Sequence, residues 1–151
     1  MTNEELKQYI SALFPTVTYD ETGEFLNILI ASTELKPLIK SLRYEDDLKF
    51  NFLFCLTCID WKTNLMMVYH LISKTHKHIV VIKAKIADVV KPEIETVCDI
   101  YQTANFHERE VYDLFGVNFK NHPDMRRLLL DESWEGYPLR KNYVDENMIT
   151  I

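Results

Sequence analysis

Two cysteines three residues apart, Cys55-Leu56-Thr57-Cys58, are the residues that most readily suggest chemistry. Thiols at that spacing chelate zinc, hold iron-sulfur clusters or exchange disulfides. Here, however, they sit inside an aromatic, β-rich run. Residues i and i+3 of a strand face opposite sides of the sheet, and a second cysteine pair is missing from the sequence. The pair is therefore expected to be structural, because a buried free cysteine behaves as a small hydrophobe, and Cys98 is read the same way. His76 and His78 share one face of a strand and, with His70, could offer imidazoles to a metal. The sequence supplies no companion thiolate or carboxylate in a ligand pattern, so solvated or hydrogen-bonded histidines are expected. No serine or cysteine stands in a nucleophile elbow, and no carboxylate pair stands out as general acid and base. A free-standing thiol or metal enzyme built on Cys55, Cys58, His76 and His78 remains as an alternative.

The strongest local constellation is Asn105-Phe106-His107-Glu108-Arg109-Glu110-Val111-Tyr112-Asp113-Leu114-Phe115-Gly116. Its spacing predicts a helix with Asn105 as N-cap, Glu108 at the third position and Gly116 just beyond the end. Val111, Leu114 and Phe115 then share the buried face. Arg109 and Asp113 form an i,i+4 pair on another face, while Glu108 and Glu110 favour the positive N-terminus.

Composition bounds what these residues can belong to. A chain of 151 residues, 47% hydrophobic and 26% charged, with eight Phe, eight Tyr and two Trp, is long enough to bury one substantial core. Three glycines leave little room for a phosphate-cradling loop, which excludes a Walker or dinucleotide site. No run approaches the roughly 18 apolar residues of a membrane span. The acidic start Met1-Thr2-Asn3-Glu4-Glu5 lacks the basic and apolar parts of a secretory leader, so a cytoplasmic setting is expected, and three cysteines fit it. A net charge of −6 argues against nucleic acid as a partner. One stretch departs from it: Lys74 to Lys91 holds five lysines against one carboxylate, weakly suggesting an anionic partner.

The elements that position these residues follow from periodicity. Thr2 and Glu5 form a capping box, and Leu6, Ile10 and Leu13 recur at helical spacing up to Pro15, predicting a helix over residues 3–14. Val17 to Tyr19 and Phe25 to Ile30 read as strands about a polar turn. Leu35, Leu38, Ile39 and Leu42 mark a second helix beginning after Thr33, with Pro37 tolerated in its first turn. Three strands follow as a meander. The first is expected to put Phe50, Phe52, Phe54, Leu56 and Cys58 on one face. Leu65 to Ile72 is apolar on both faces. The third puts Val80, Ile82, Ala84 and Ile86 inward and Lys83 and Lys85 outward, so the outer face must meet solvent or a partner. The whole reads as an α+β domain with helices on one face of a largely antiparallel sheet over residues 1–116. An extended irregular tail over 117–151 completes the chain.

That tail is broken by Pro123, Gly136 and Pro138 yet carries Met125, Leu128, Leu129, Leu130, Trp134, Tyr137 and Leu139. Such a segment either wraps its own domain or docks into another subunit. Arginine's planar fork pairs two-pronged with carboxylates, so Arg126, Arg127 and Arg140, with Lys141, suit a partner's acidic groups, and Trp134 and Tyr137 serve as anchors.

Three ordered blocks carry a resemblance. Glu108 to Gly116, then His122-Pro123-Asp124-Met125-Arg126-Arg127-Leu128-Leu129-Leu130, then Trp134-Glu135-Gly136-Tyr137-Pro138-Leu139-Arg140-Lys141, together resemble the C subunit of NADH:quinone oxidoreductase, the respiratory complex I. The likeness extends back through Asp60-Trp61, covering roughly residues 50–143. It implies a small non-catalytic subunit of the peripheral arm, with no flavin, iron-sulfur cluster or quinone site of its own. The same resemblance implies that it packs against subunits D and B on the cytoplasmic side of the bacterial membrane. An equivalent subunit of a membrane-bound hydrogenase or formate-linked complex is the alternative enzyme context.

Overall fold

The computed structural model describes residues 1–146, so positions 147–151 of the expected tail lie outside the described residues. Helix α1 (Asn3–Leu13) opens with the expected capping box: Glu5 N–H donates to Thr2 Oγ1 and Thr2 N–H to the Glu5 carboxylate. It buries Leu6 and Ile10. Strands β1 (Thr18–Asp20) and β2 (Leu26–Ala31) pair antiparallel, and a short 3-10 turn leads into α2 (Leu35–Tyr44), whose Leu35, Leu38, Ile39 and Leu42 are all buried. Then come β3 (Phe52–Asp60), β4 (Leu65–Ser73) and β5 (His78–Ile86), an antiparallel meander as its spacing predicts. The chain continues through β6 (Glu93–Glu95), α3 (Ala104–Phe115) and β7 (Asn118–Lys120).

Among the described residues the main sheet has the order β1-β2-β5-β4-β3. Its one parallel pairing is β2 with β5, which requires a crossover, and α2, β3 and β4 supply it. All three helices contribute to a single core on one face of this sheet, against Ile28, Leu53, Leu56, Met67, Tyr69 and Ile82. The α+β reading with helices on one face holds.

Three local expectations are corrected. In β3 the pairing register shifts between Leu53 and Cys55, so Phe54 is an extra residue that resets the alternation. Leu53 joins Leu56 and Cys58 in the core, while Phe52 and Phe54 turn outward. The third helix begins at Ala104, not after Asn105. Thr103 sits at its N-cap, but its hydroxyl donates to the Leu53 carbonyl at 2.9 Å, tying the helix to the bulged strand. Finally, β6 and β7 form a small parallel ladder with Ile94 beside Phe119, and Val117 and Phe119 are buried. The packed unit thus runs to Lys120, past the expected boundary at Gly116.

The cysteines take the opposite faces that strand geometry dictates: Cys58 is in the core and Cys55 is half-exposed on the other side. Cys58→Ser, which buries a hydroxyl without an assured partner, should lower unfolding stability by about 1 to 3 kcal/mol. Cys55→Ser should stay within about 0.5 kcal/mol. Urea denaturation of both variants checks this difference.

Candidate functional site

Helix α3 presents two buried stripes. Val111 packs into the core, and Glu108, three residues earlier on the same side, is fully buried with it. A second stripe carries Phe106, Arg109 and Asp113, of which Arg109 and Asp113 are buried. The pairing expected between these two does not form, because each is engaged by the tail.

The Asp113 carboxylate has no exposure to solvent. One oxygen, Oδ2, accepts three successive backbone N–H groups, from Leu128 at 3.2 Å, Leu129 at 2.6 Å and Leu130 at 3.0 Å. The other, Oδ1, lies 3.0 Å from Arg127 Nη1, which also donates to the Asp113 carbonyl. The Arg127 Nη2 donates onward to the carbonyls of Trp134 and Gly136. Burial works to raise the Asp113 pKa, but the N–H groups of Leu129 and Leu130, the Arg127 guanidinium and the Leu128 N–H outweigh it and hold the carboxyl below its ordinary range. Arg109 completes the clasp by donating to the carbonyls of Arg126 and Arg127.

The end of the helix supplies a second contact. Gly116 caps α3 in the left-handed region at φ 79°, and a Cβ there would lie 2.6 Å from the Tyr137 ring. Only glycine satisfies both the backbone and the ring. Tyr137 also faces the Arg127 guanidinium and meets Tyr112 edge-on. A third contact joins the tail to β3: Asp60 Oδ2 accepts the Lys141 N–H at 2.9 Å and forms an ion pair with Arg140 Nε at 3.3 Å. Arg140 donates further to the Phe115 and Val89 carbonyls. Burial tends to raise the Asp60 pKa, yet the Lys141 and Lys62 N–H groups and Arg140 bring it below the usual value.

The predicted tail residues therefore divide. Arg127, Tyr137 and Arg140 are held within the chain. Arg126, ion-paired with Asp124 at 2.7 Å, is exposed, as are Trp134 and Lys141, the latter with its ammonium over the Trp61 ring. Glu110 faces solvent. Cys58 and His78 are not brought together. They sit beside Met67 and Ser73 of β4, six residues or about 20 Å apart along that strand.

One cluster escaped the sequence reading. Donor atoms of Cys98, Glu108 and His122 lie within 4.8 Å of one another. Glu108 accepts from the Thr96 hydroxyl and from the Val97 N–H at 2.8 Å. His122 Nδ1 accepts the Asp124 N–H, so Nε2 carries the ring proton and points it at the Asn105 carbonyl. Burial pushes Glu108 up to about 7, against the Thr96 and Val97 hydrogen bonds. The i, i+3, i+7 relation of Glu108 to Val111 and Phe115 was the signal for its burial.

Residues 28–147 match the family described as respiratory-chain NADH dehydrogenase, 30 Kd subunit. The chain belongs to this family. The whole clasp lies inside the matched stretch. The C subunit of the NADH-quinone oxidoreductase of Herpetosiphon aurantiacus is 39% identical over 142 residues, covering 91% of this chain and 82% of that one. The C/D subunit of the corresponding enzyme of Phocaeicola vulgatus is 44% identical over 108 residues, 71% of this chain. The chain spans only 21% of that second relative's length. Among solved structures, a chain of the membrane-bound sulfane sulfur reductase, an archaeal respiratory membrane complex, superposes with a TM-score of 0.78 at 28% identity, covering 93% of this chain and 85% of its own.

Asp113→Ala strands the half-buried Arg127 charge and removes the acceptor of three N–H groups, so thermodynamic stability should fall by about 3 kcal/mol, read by denaturant unfolding. Glu108 makes a separate pH contribution. Its raised folded pKa means the native state holds a proton that the unfolded state releases, so this contribution falls as pH rises from about 4.5 to about 7. Glu108→Gln should remove that decline, visible as a flatter curve of melting temperature against pH across the same window.

Proposed function

We propose that this chain is a non-catalytic structural subunit of the peripheral arm of a proton-translocating NADH:quinone oxidoreductase. In this reading it supports electron transfer from NADH through iron-sulfur clusters to quinone without holding an active site. Family membership and the likeness to the C subunits of such enzymes support the reading. Among the described residues no helix is long and apolar enough to cross a membrane. Attachment on the cytoplasmic side through partner subunits fits that observation, with subunits D and B as the proposed neighbours.

The observation that carries the proposal is how the tail is held. Asp113, Arg127 and Arg109 grip its main chain, N–H by N–H and carbonyl by carbonyl. Four of its large apolar side chains are left outside: Leu128, Leu129, Trp134 and Leu139 are 37%, 64%, 38% and 52% exposed. A row of exposed apolar residues on a fixed backbone is a preorganised docking ridge, because little ordering entropy remains to be lost on binding. The proposed interface comprises Arg126, Trp134 and Lys141 directly, with Arg127, Tyr137 and Arg140 shaping it from behind.

The membrane-bound sulfane sulfur reductase chain favours a second reading, an equivalent subunit of another membrane-bound redox complex. Isolating the native complex through a tag on this chain separates the two: NADH oxidation with bound flavin supports the first, its absence the second. Within the complex, Trp134→Ala should leave the melting temperature of the free subunit nearly unchanged. It should weaken association by about 2 kcal/mol, some 30-fold in Kd. A large melting shift with unchanged partner affinity would defeat the docking role.

A further inference from the structure

The sheet has a second face, and none of the three helices packs on it. Leu29, Ile59, Met66, Val68, Ile72 and Val81 all point that way, paired across β2, β5, β4 and β3. Val68 and Val81 are buried yet lie outside the helix-covered core. An antiparallel sheet with one solvated face ordinarily alternates apolar inside with polar outside. Here the second face keeps these aliphatic residues among Asn27, Thr57, His70, Lys83 and Lys85. A shallow groove of about 460 Å³ on this face is floored by Leu29, Ala31 and Met66 and edged by Lys83 and Lys85.

We infer that this open sheet face is a second docking surface, distinct from the tail, and that it receives an apolar surface edged with carboxylates on a different polypeptide chain. Charge decides the occupant. The chain carries −6 overall, yet the charged side chains lining the groove are Lys83 and Lys85, with Asp20 3.5 Å from Lys83, and Lys74 lies over the Phe52 ring at the far end of the same face. Lys85 is exposed and forms no ion pair among the described residues. The half-buried His70 adds no negative charge. A second copy docking through the same patch would set these lysines against their own equivalents, a like-charge juxtaposition that disfavours a two-fold dimer. An anionic membrane gains about 1 kcal/mol per surface lysine, and one of the two here is already paired with Asp20. A partner with acidic groups around an apolar patch satisfies both the floor and the free ammonium.

The inference stands whether or not the tail docks, because it concerns a face the clasp does not touch. Cys55 provides a built-in reporter, since it is half-exposed on this face opposite His70, while Cys58 is buried on the other. Alkylation of the wild-type chain by a small maleimide, resolved by site with mass spectrometry, should be at least 10-fold slower at Cys55 in the native complex than in the free subunit. Carbodiimide treatment, which joins an ammonium to a carboxylate in contact with it, should link Lys85 to an Asp or Glu of another subunit. Lys85→Arg should abolish that product. Equal Cys55 reactivity in both forms, no Lys85 cross-link, or a cross-link to a second copy of this chain would each overturn the inference. So would protection of Cys55 in the free subunit by phosphatidylglycerol vesicles. Tail docking is read separately by the Trp134→Ala affinity, so the two can fail independently.

Discussion

A carboxylate removed from water stays ionised only if other groups replace its hydration shell, and Asp113 draws that replacement from the tail. Three consecutive N–H groups and one guanidinium converge on it from residues that carry no regular structure of their own. The dependence is mutual. Without the tail, Asp113 would be a buried, unpaired charge on α3. Without Asp113, the N–H groups of Leu128 to Leu130 would lose their common acceptor, since no neighbouring strand pairs with them. Arg127 then extends the same network to Trp134 and Gly136, and Tyr137 closes it over Gly116.

Holding a segment by its backbone has a consequence for its side chains. An irregular segment packed through its apolar residues would present a polar exterior. Here polar groups of α3 take the main chain, and Leu128, Leu129, Leu139 and Trp134 are left facing out. Stability and availability for binding are thus carried by different atoms of the same residues. That separation fixes a long irregular segment while leaving apolar side chains exposed, as the proposed docking role requires.

The two ends of the clasp differ in how they carry charge. Asp113 and Asp60 are matched by cations and N–H groups and remain ionised. Glu108, on the neighbouring stripe of α3, has a hydroxyl and one N–H as hydrogen-bond donors beside a thiol and an imidazole, and burial outweighs those two bonds and pushes its pKa up to about 7. Within one helix, burial costs are met by charge pairing on one side and by protonation on the other. The tail depends on both, since His122 enters the Glu108 cluster while Leu128 to Leu130 enter the Asp113 site.

Features that depend on neighbours along the chain were legible before any fold was known. The capping box at Thr2 and Glu5, the stripe of α2, the alternation of β5, the glycine terminating α3 and the opposite facing of Cys55 and Cys58 are all local in cause. The residues that carry the family likeness were legible for the same reason, as ordered blocks. Contacts between distant segments settled the rest. The bulge at Phe54 moved two phenylalanines to the surface, because pairing with β4 sets the register. Lys62 and Lys77 take positive φ in the turns around β4, where the sequence offered no glycine to mark them. Arg109 and Asp113 sit four residues apart and were expected to pair with each other. They bind instead to a segment 15 to 18 residues away, because its backbone offered each a fuller set of partners than the other side chain could. Periodicity names the face on which a charge lies; only the folded chain supplies the groups that make burying it tolerable.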